Sequence, residues 1–92
     1  MAVTVKLVGP LRKLADNQGV HQLDGLTSVG AAIRALVERH QALAPRVLTA
    51  DGSLHRFVKV YVNTQDVRYR ELLDTPISDG DEITIVAAVS GG

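Results

Sequence analysis

The first residues of the chain alternate between apolar and polar side chains. The apolar positions are Val3, Val5 and Leu7, and the polar positions between them are Thr4 and Lys6. This period of two predicts a half-buried β-strand over residues 2–8, which ends at Gly9-Pro10. A second strand is predicted over residues 20–23, before the turn pair Asp24-Gly25. We expect these two strands to pair.

From Val29 onward the apolar residues repeat with the period of a helix. The stripe comprises Val29, Ile33, Leu36, Val37 and His40. These positions share one side of an α-helix, and Thr27 or Ser28 is available to cap its first turn. Pro45 follows closely and restricts the next segment to a short turn. The pattern therefore predicts one main helix.

The second half of the chain predicts further strands. Residues 57–63 are the most apolar segment, interrupted only by Lys59, and their β-branched and aromatic side chains predict a central strand. A weaker edge strand is predicted over residues 66–69. The turn Asp79-Gly80-Asp81 then precedes a final strand over residues 82–87.

The order of these elements predicts an α+β fold in a single domain over residues 1–92. One main helix packs on one face of a mixed four- to five-stranded sheet to form a roll. In the last strand, Ile83 and Ile85 are expected to face the core, and Thr84 and Val86 to face outward. A slip of one residue reverses every face of a strand, so the faces of the other strands stay open at this point.

Composition and charge narrow the classes of function. Of the 92 residues, 46% are hydrophobic and 3% aromatic, so aliphatic side chains must fill the core. Ten basic residues balance ten acidic ones, so the net charge does not indicate nucleic acid or an anionic membrane as the main partner, and we expect neither. The absence of cysteine excludes disulfides, thiolate metal sites and cysteine nucleophiles. No segment reaches the roughly 18 apolar residues of a membrane span or resembles a signal peptide, and we expect a cytoplasmic protein.

No group of residues in the sequence indicates a catalytic or metal centre. His21, His40 and His55 stand far apart along the chain and lack the spacing of metal ligands on a helix. The acidic residues at 79–82 lack the further oxygen ligands of a calcium loop. Ser90 has no G-x-S-x-G elbow around it. We therefore predict no metal site, no bound cofactor, and a chain that is not itself an enzyme.

The end of the chain indicates the function most directly. The predicted last strand runs into Ala88-Val89-Ser90 and stops at Gly91-Gly92. Glycine has no side chain to clash in a narrow channel, and five residues reach about 16 Å at about 3.3 Å each. A glycine pair at a given position arises by chance in roughly one sequence in 200, at a glycine usage of about 7%. We predict a flexible tail over residues 88–92 that presents the Gly92 carboxylate to another protein.

Four segments resemble the MoaD/ThiS family of ubiquitin-like sulfur carriers. They are Val60-Tyr61-Val62-Asn63, Asp79-Gly80-Asp81-Glu82, Ile83-Thr84-Ile85-Val86 and Ala88-Val89-Ser90-Gly91-Gly92. The likeness spans the whole chain and implies the β-grasp fold of that family. Within the family, residues 54–58, 60–63 and 66–68 resemble most the CysO-type carrier of cysteine synthesis.

The resemblance implies a role as a sulfur carrier. An E1-like enzyme would adenylate the Gly92 carboxylate with ATP, and a sulfur donor would replace AMP to leave a thiocarboxylate. ATP would be bound by that enzyme and not by this chain. A sulfur-accepting synthase would use the sulfur for cysteine, for a cofactor such as molybdopterin, or for a specialised metabolite. The chain is expected to be a monomer alone or a heteromer with its partner.

A carrier of this kind also needs a docking surface, because a tail cannot by itself select an enzyme. In the tail, the predicted contact residues are Ala88, Val89, Ser90 and Gly91. On the outward face of the sheet, the candidates are Phe57, Tyr61, Thr84 and Val86. Phe57 and Tyr61 belong either to this face or to the core, depending on strand parity. The basic residues Arg56, Lys59, Arg68 and Arg70 either surround this surface or are simply solvated.

Three alternative functions share these features. A ubiquitin-like modifier would join Gly92 to a lysine of a target protein through an isopeptide bond. A binding module, or the small subunit of a molybdopterin synthase, would keep its tail inside a partner. Molybdopterin-type tails often carry prolines where this chain has Ala87-Ala88, which disfavours the synthase subunit.

Overall fold

The computed structural model describes residues 2–87. The strands in this range are β1 (Ala2–Val8), β2 (Val20–Asp24), β3 (Val58–Val62), β4 (Gln65–Asp66) and β5 (Glu82–Ala87). The α-helices are α1 (Val29–Arg39) and α2 (Ala44–Val47). The 3₁₀ helices are Gly9–Ala15, Gln41–Leu43, Val67–Tyr69 and Leu72–Asp74.

The strands form one mixed sheet in the order β2-β1-β5-β3-β4. β1 and β2 pair antiparallel, which confirms the predicted pairing. β5 lies at the centre of the sheet, parallel to β1 and antiparallel to β3. The strand β3 is also interior, as predicted, because the short β4 covers its other edge. The last described strand along the chain is therefore held on both sides.

One face of the sheet packs with α1 to form the core. The strands contribute Val3, Val5, Leu7, Val58, Val60, Val62, Ile83 and Ile85. The helix contributes Val29, Ala32, Ile33 and Leu36. The faces predicted for β5 are confirmed, since Ile83 and Ile85 are buried and Thr84 is not. In β3 the buried residues have even numbers, so Lys59 and Tyr61 lie on the opposite face.

Helix α1 follows the predicted stripe closely. Ser28 caps it, because its hydroxyl oxygen accepts the backbone N–H of Ala31 at 3.1 Å. Val37 is half-buried at the margin of the stripe, and His40 lies just beyond the last residue of the helix. Gly30 is also buried, although a glycine adds nothing to an apolar pattern. No helix within residues 2–87 is long and apolar enough to cross a membrane.

The predicted limits of two strands are wrong. β3 begins at Val58, and Phe57 precedes it in a turn. The strand predicted over residues 66–69 is the two-residue β4 followed by the 3₁₀ helix Val67–Tyr69. The carboxylate of Asp66 explains the second difference, because it accepts the backbone N–H of Arg68 at 2.9 Å and caps the helical turn.

The acidic turn before β5 has a structural role. The Asp79 carboxylate accepts the N–H of Ala2 at 2.7 Å, and the Asp81 carboxylate accepts the N–H of Ser78 at 2.8 Å. Gly80 has φ +85°, a conformation that favours glycine. The turn therefore ties the beginning of β1 to the segment that leads into β5.

Candidate functional site

The candidate site begins where β5 ends. Register pairs place Val8 of β1 and Lys59 of β3 on either side of Val86. The backbone therefore leaves the described part of the sheet at its centre, between two strands that are anchored in the core. Residues 88–92, with the predicted carboxylate of Gly92, lie outside the described residues, and their role stays a prediction.

The face of the sheet opposite α1 carries three of the predicted docking residues. Tyr61 and Thr84 are register partners, and Val86 lies two residues further along β5. All three are half-buried, so Tyr61 belongs to this outer face and not to the core. The structure thus brings these residues together on one surface, and their role in docking stays a prediction.

Phe57, the fourth predicted docking residue, is 45% exposed just before β3. Its ring lies against the imidazole of His55, with 5.1 Å between the centroids, and its N–H donates to His55 Nδ1 at 3.3 Å. The guanidinium carbon of Arg56 stands 4.9 Å from the same ring centroid. The exposed ring is therefore held in one position by its neighbours.

Two exposed valines extend the outer face and were not among the predicted site residues. Val8 is 43% exposed beside Val86, and Val20 is 59% exposed on β2, where it pairs with Lys6. The alternation of β1 contained the indication for Val8, because its position belongs to the polar side of that strand. Together, Val8 and Val86 make this part of the outer face apolar.

Charge is distributed unevenly along this face. Lys6 and Glu82 form an ion pair across β1 and β5, with 3.2 Å between Nζ and Oε2. At the other end, near the end of β5, Arg56, Lys59 and Arg68 have no carboxylate of residues 2–87 within ion-pair distance. Exposed ion pairs contribute little to stability, so this uneven distribution of charge adds little to the stability of the fold.

The fold brings together two of the three histidines that lie far apart in the sequence. The rings of His21 and His40 meet edge to face, with 5.3 Å between their centroids. His21 is buried, and its Nε2 lies 2.7 Å from the carbonyl oxygen of Gln18. The described part of the chain holds no group of three or more histidine or carboxylate side chains placed to bind a metal ion. This histidine pair is therefore part of the packing.

The loop between α2 and β3 is held by a carboxylate. Asp51 accepts hydrogen bonds from the hydroxyl of Thr49 and, at 3.2 Å, from the N–H of Ser53. The hydroxyl bond first, and the bond to Ser53 second, hold the pKa of Asp51 below its usual value. The carboxylate is fully exposed and its hydrogen bonds are to residues of the same loop, so it serves the turn.

Comparison with known proteins gives consistent matches over the whole length of the chain. The ThiS family matches residues 5–92. The sulfur carrier protein CysO of Mycobacterium tuberculosis is 40% identical, and the alignment covers 100% of each chain. In the crystal structure of the Amycolatopsis orientalis BexX/CysO complex, a chain with 36% identity superposes with a TM-score of 0.86 over 98% of this chain and 99% of that one. SAMP1 of Haloferax volcanii is 31% identical, with a TM-score of 0.86 and full coverage of both chains.

These matches define the class of the protein. Its mixed five-stranded sheet with one main helix is the ubiquitin-like β-grasp fold, as the resemblance implied. The chain belongs to the ThiS family.

Proposed function

We propose that this chain is a sulfur carrier protein that delivers sulfur as a thiocarboxylate on Gly92. The observation that carries the proposal is the family match, which extends through the Gly91-Gly92 pair. Full-length identity of 40% to CysO, whose name states the same role, supports it. In this proposal the chain is a co-substrate of other enzymes and catalyses nothing itself.

The chemistry starts from an unreactive group. A carboxylate is a poor electrophile, so an E1-like enzyme joins the Gly92 carboxylate to the α-phosphate of ATP and releases pyrophosphate. Hydrosulfide from a sulfur donor then attacks the carbonyl carbon, the C–O bond to the phosphate breaks, AMP leaves with the bonding electrons, and a proton is released. The thiocarboxylate passes its sulfur to an acceptor in the synthesis of cysteine, a cofactor or a specialised metabolite.

The fold supports a chain that presents its C-terminus while another protein carries out the chemistry. β5 is fixed by β1 on one side and by β3 on the other, so a partner can grip the residues after Ala87 without disturbing the core. The outer face around Tyr61 and Val86 is next to that point and offers a surface for the activating enzyme and for the accepting synthase. ATP is bound by the activating enzyme.

Intact mass spectrometry tests the proposal. The chain is co-expressed with the E1-like adenylating enzyme of its source organism, and a matched culture carries the chain without Gly92. We expect the full chain to gain the mass difference of one oxygen exchanged for sulfur, and the shortened chain to keep its mass. An unmodified full chain, obtained with an enzyme that exchanges pyrophosphate in its presence, would contradict transfer of sulfur.

A second function, conjugation to lysine side chains, is favoured by the likeness to SAMP1, a small archaeal modifier protein. In that case the activated Gly92 is attacked by an amine, and AMP is lost as before. The same culture then contains covalent adducts of higher mass, which survive reduction and are absent when Gly92 is deleted. If a thiocarboxylate forms and no such adducts are found, the sulfur-carrier function is supported and conjugation is not.

A further inference from the structure

Three cations lie near the end of β5, and one of them, Arg56, lies over the exposed ring of Phe57. We name Arg56, Lys59 and Arg68 the basic collar. We infer that the basic collar docks on an acidic surface of the activating enzyme, beside the channel that receives the tail. This inference rests on the proposed function and adds the chemistry of the partner surface.

The basic collar is arranged before any partner binds. Arg56 is held over Phe57, with 4.9 Å from its guanidinium carbon to the ring centroid. Arg68 Nη2 donates to the carbonyl oxygen of Arg56 at 3.2 Å, which ties the segment after β4 to the turn before β3. Lys59 projects from the outer face opposite Val86. Aromatic and arginine side chains that are already ordered lose little entropy on binding and are frequent at the energetic centres of interfaces.

The charge of the basic collar is not balanced within the described part of the chain. Among residues 2–87, Lys6 forms an ion pair with Glu82, and His40 Nδ1 lies 3.8 Å from Asp16 Oδ2; neither contact includes a collar residue. The Asp66 carboxylate accepts the backbone N–H of Arg68. A cation on the surface is solvated by water. Removing it from water without an opposite charge beside it is unfavourable in free energy. A protein that covers Phe57 must therefore supply carboxylates.

The length of the tail places the activating enzyme on this surface. Five residues after Ala87 extend about 16 Å at about 3.3 Å each. An enzyme that holds Gly92 in its active site must therefore touch the region where β5 ends. Lys59 is opposite Val86, one residue before that end, so the basic collar lies within the area that the enzyme covers.

The surroundings of the basic collar favour a protein partner over nucleic acid or a membrane. Phe57 lies beneath Arg56, and Val86 lies between Lys59 and Val8, so apolar side chains and cations are neighbours, as in an interface with an apolar centre and a polar rim. The whole chain has a formal net charge of zero. Nucleic acids and anionic lipids bind through many cations, and three give weak, strongly salt-dependent contacts.

Charge reversal tests the inference. The double variant Arg56→Glu/Arg68→Glu is compared with Arg34→Glu/Arg46→Glu, which makes the same change of charge at exposed positions on α1 and α2. The assay is pyrophosphate exchange by the activating enzyme at increasing concentrations of the carrier. We expect the collar variant to raise the KM for the carrier by about tenfold at low salt with little change in kcat, and the control to resemble wild type. Added salt should reduce the difference.

Two further variants keep the test independent of folding. Lys59→Glu changes an exposed strand residue that makes no side-chain hydrogen bond among the described residues, and it should raise KM in the same direction. Arg56→Lys/Arg68→Lys keeps the charge and should retain most of the affinity. Equal KM values for the collar and control variants, with all melting curves unchanged, would overturn the inference, as would a loss confined to kcat.

Binding of the basic collar to a membrane or to nucleic acid would be seen with the same variants. Binding of the wild-type chain to phosphatidylserine vesicles or to a single-stranded oligonucleotide, lost in the collar variant while pyrophosphate exchange is unaffected, would overturn the inference in favour of that partner. A wild-type chain that supports no pyrophosphate exchange contradicts the proposed function itself. The two failures are therefore distinguishable.

Discussion

At the scale of single residues, short polar side chains decide where elements begin. Ser28 caps α1, and Asp66 turns the chain from β4 into a 3₁₀ helix. The sequence indicated a cap at Thr27 or Ser28 but could not choose between them, because both are hydroxyl residues at adjacent positions. It did not indicate the role of Asp66, since a bond between a side chain and the backbone two residues later competes with strand formation without altering the apolar pattern.

Substitution by alanine should show which of these two hydroxyl residues stabilises the start of α1. Ser28→Ala removes the acceptor of the Ala31 N–H and should lower the free energy of unfolding by about 1 kcal/mol. Thr27→Ala is the matched control, because Thr27 is exposed and its side chain makes no hydrogen bond among residues 2–87. Urea denaturation of both variants is the measurement. A larger loss for Thr27→Ala would contradict the assignment of the cap.

Branched side chains in the tail should block activation. Gly91→Val and Gly92→Val keep the terminal carboxylate and the chain length, but they add bulk and disfavour positive φ. We expect both to reduce pyrophosphate exchange far more than Ser90→Ala, which adds no bulk. The three variants are compared with wild type at matched concentrations. Wild-type exchange by the valine variants, together with a loss in Ser90→Ala, would show that Ser90 has a chemical role and that channel width is not limiting.

At the scale of elements, periodic segments were predicted well and short ones poorly. The extent of β1, the residues of β5 and the start of α1 follow from alternation and from the helical stripe, since long amphipathic patterns are hard to imitate by chance. β4 has two residues and carries no period, so its limits depend on the local bond to Asp66. Phe57 was included in a predicted strand because aromatic side chains are frequent in strands, although it lies in a turn beside His55.

Truncation within α1 tests how strongly this helix holds the fold. Ile33 is 1% exposed in the core, and Ile33→Ala should lower the free energy of unfolding by about 2–5 kcal/mol through lost burial and the cavity that remains. Glu38→Ala on the exposed side of the same helix should change it by less than about 0.5 kcal/mol. Chemical denaturation of both variants gives the comparison, and similar losses would contradict the packing of α1 on the sheet.

At the scale of the whole molecule, the class of fold was predictable and the order of the strands was not. The sequence predicted the pairing of β1 with β2, but it did not indicate that β5 lies between β1 and β3. β1 and β5 pair in parallel although most of the chain separates them. Only this pairing placed Val8, Val86 and Lys59 in one row of the outer face. The predicted tail rests on the glycine pair at residues 91–92, on the order of the elements and on the predicted strand that precedes it, so it did not require the pairing of the strands.

Removal of the glycine pair should separate function from stability. Glycine has no side chain to bury in a core, so a chain that lacks Gly91 and Gly92 should keep the wild-type free energy of unfolding. The same chain should no longer be adenylated, because its new terminus falls short of the active site of the enzyme. Thermal melting and pyrophosphate exchange measure the two effects. A large loss of thermal stability would mean that the glycines belong to the folded core.

The central position of β5 also affects how the protein is made. β5 is synthesised after every other described strand, yet β1 and β3 both need it as a neighbour, and Ile83 and Ile85 complete the core. A nascent chain that stops before this strand has two unsatisfied strand edges and an open core, so it is a substrate for chaperones and proteases. The sheet and the core are therefore completed only after translation has passed residue 87.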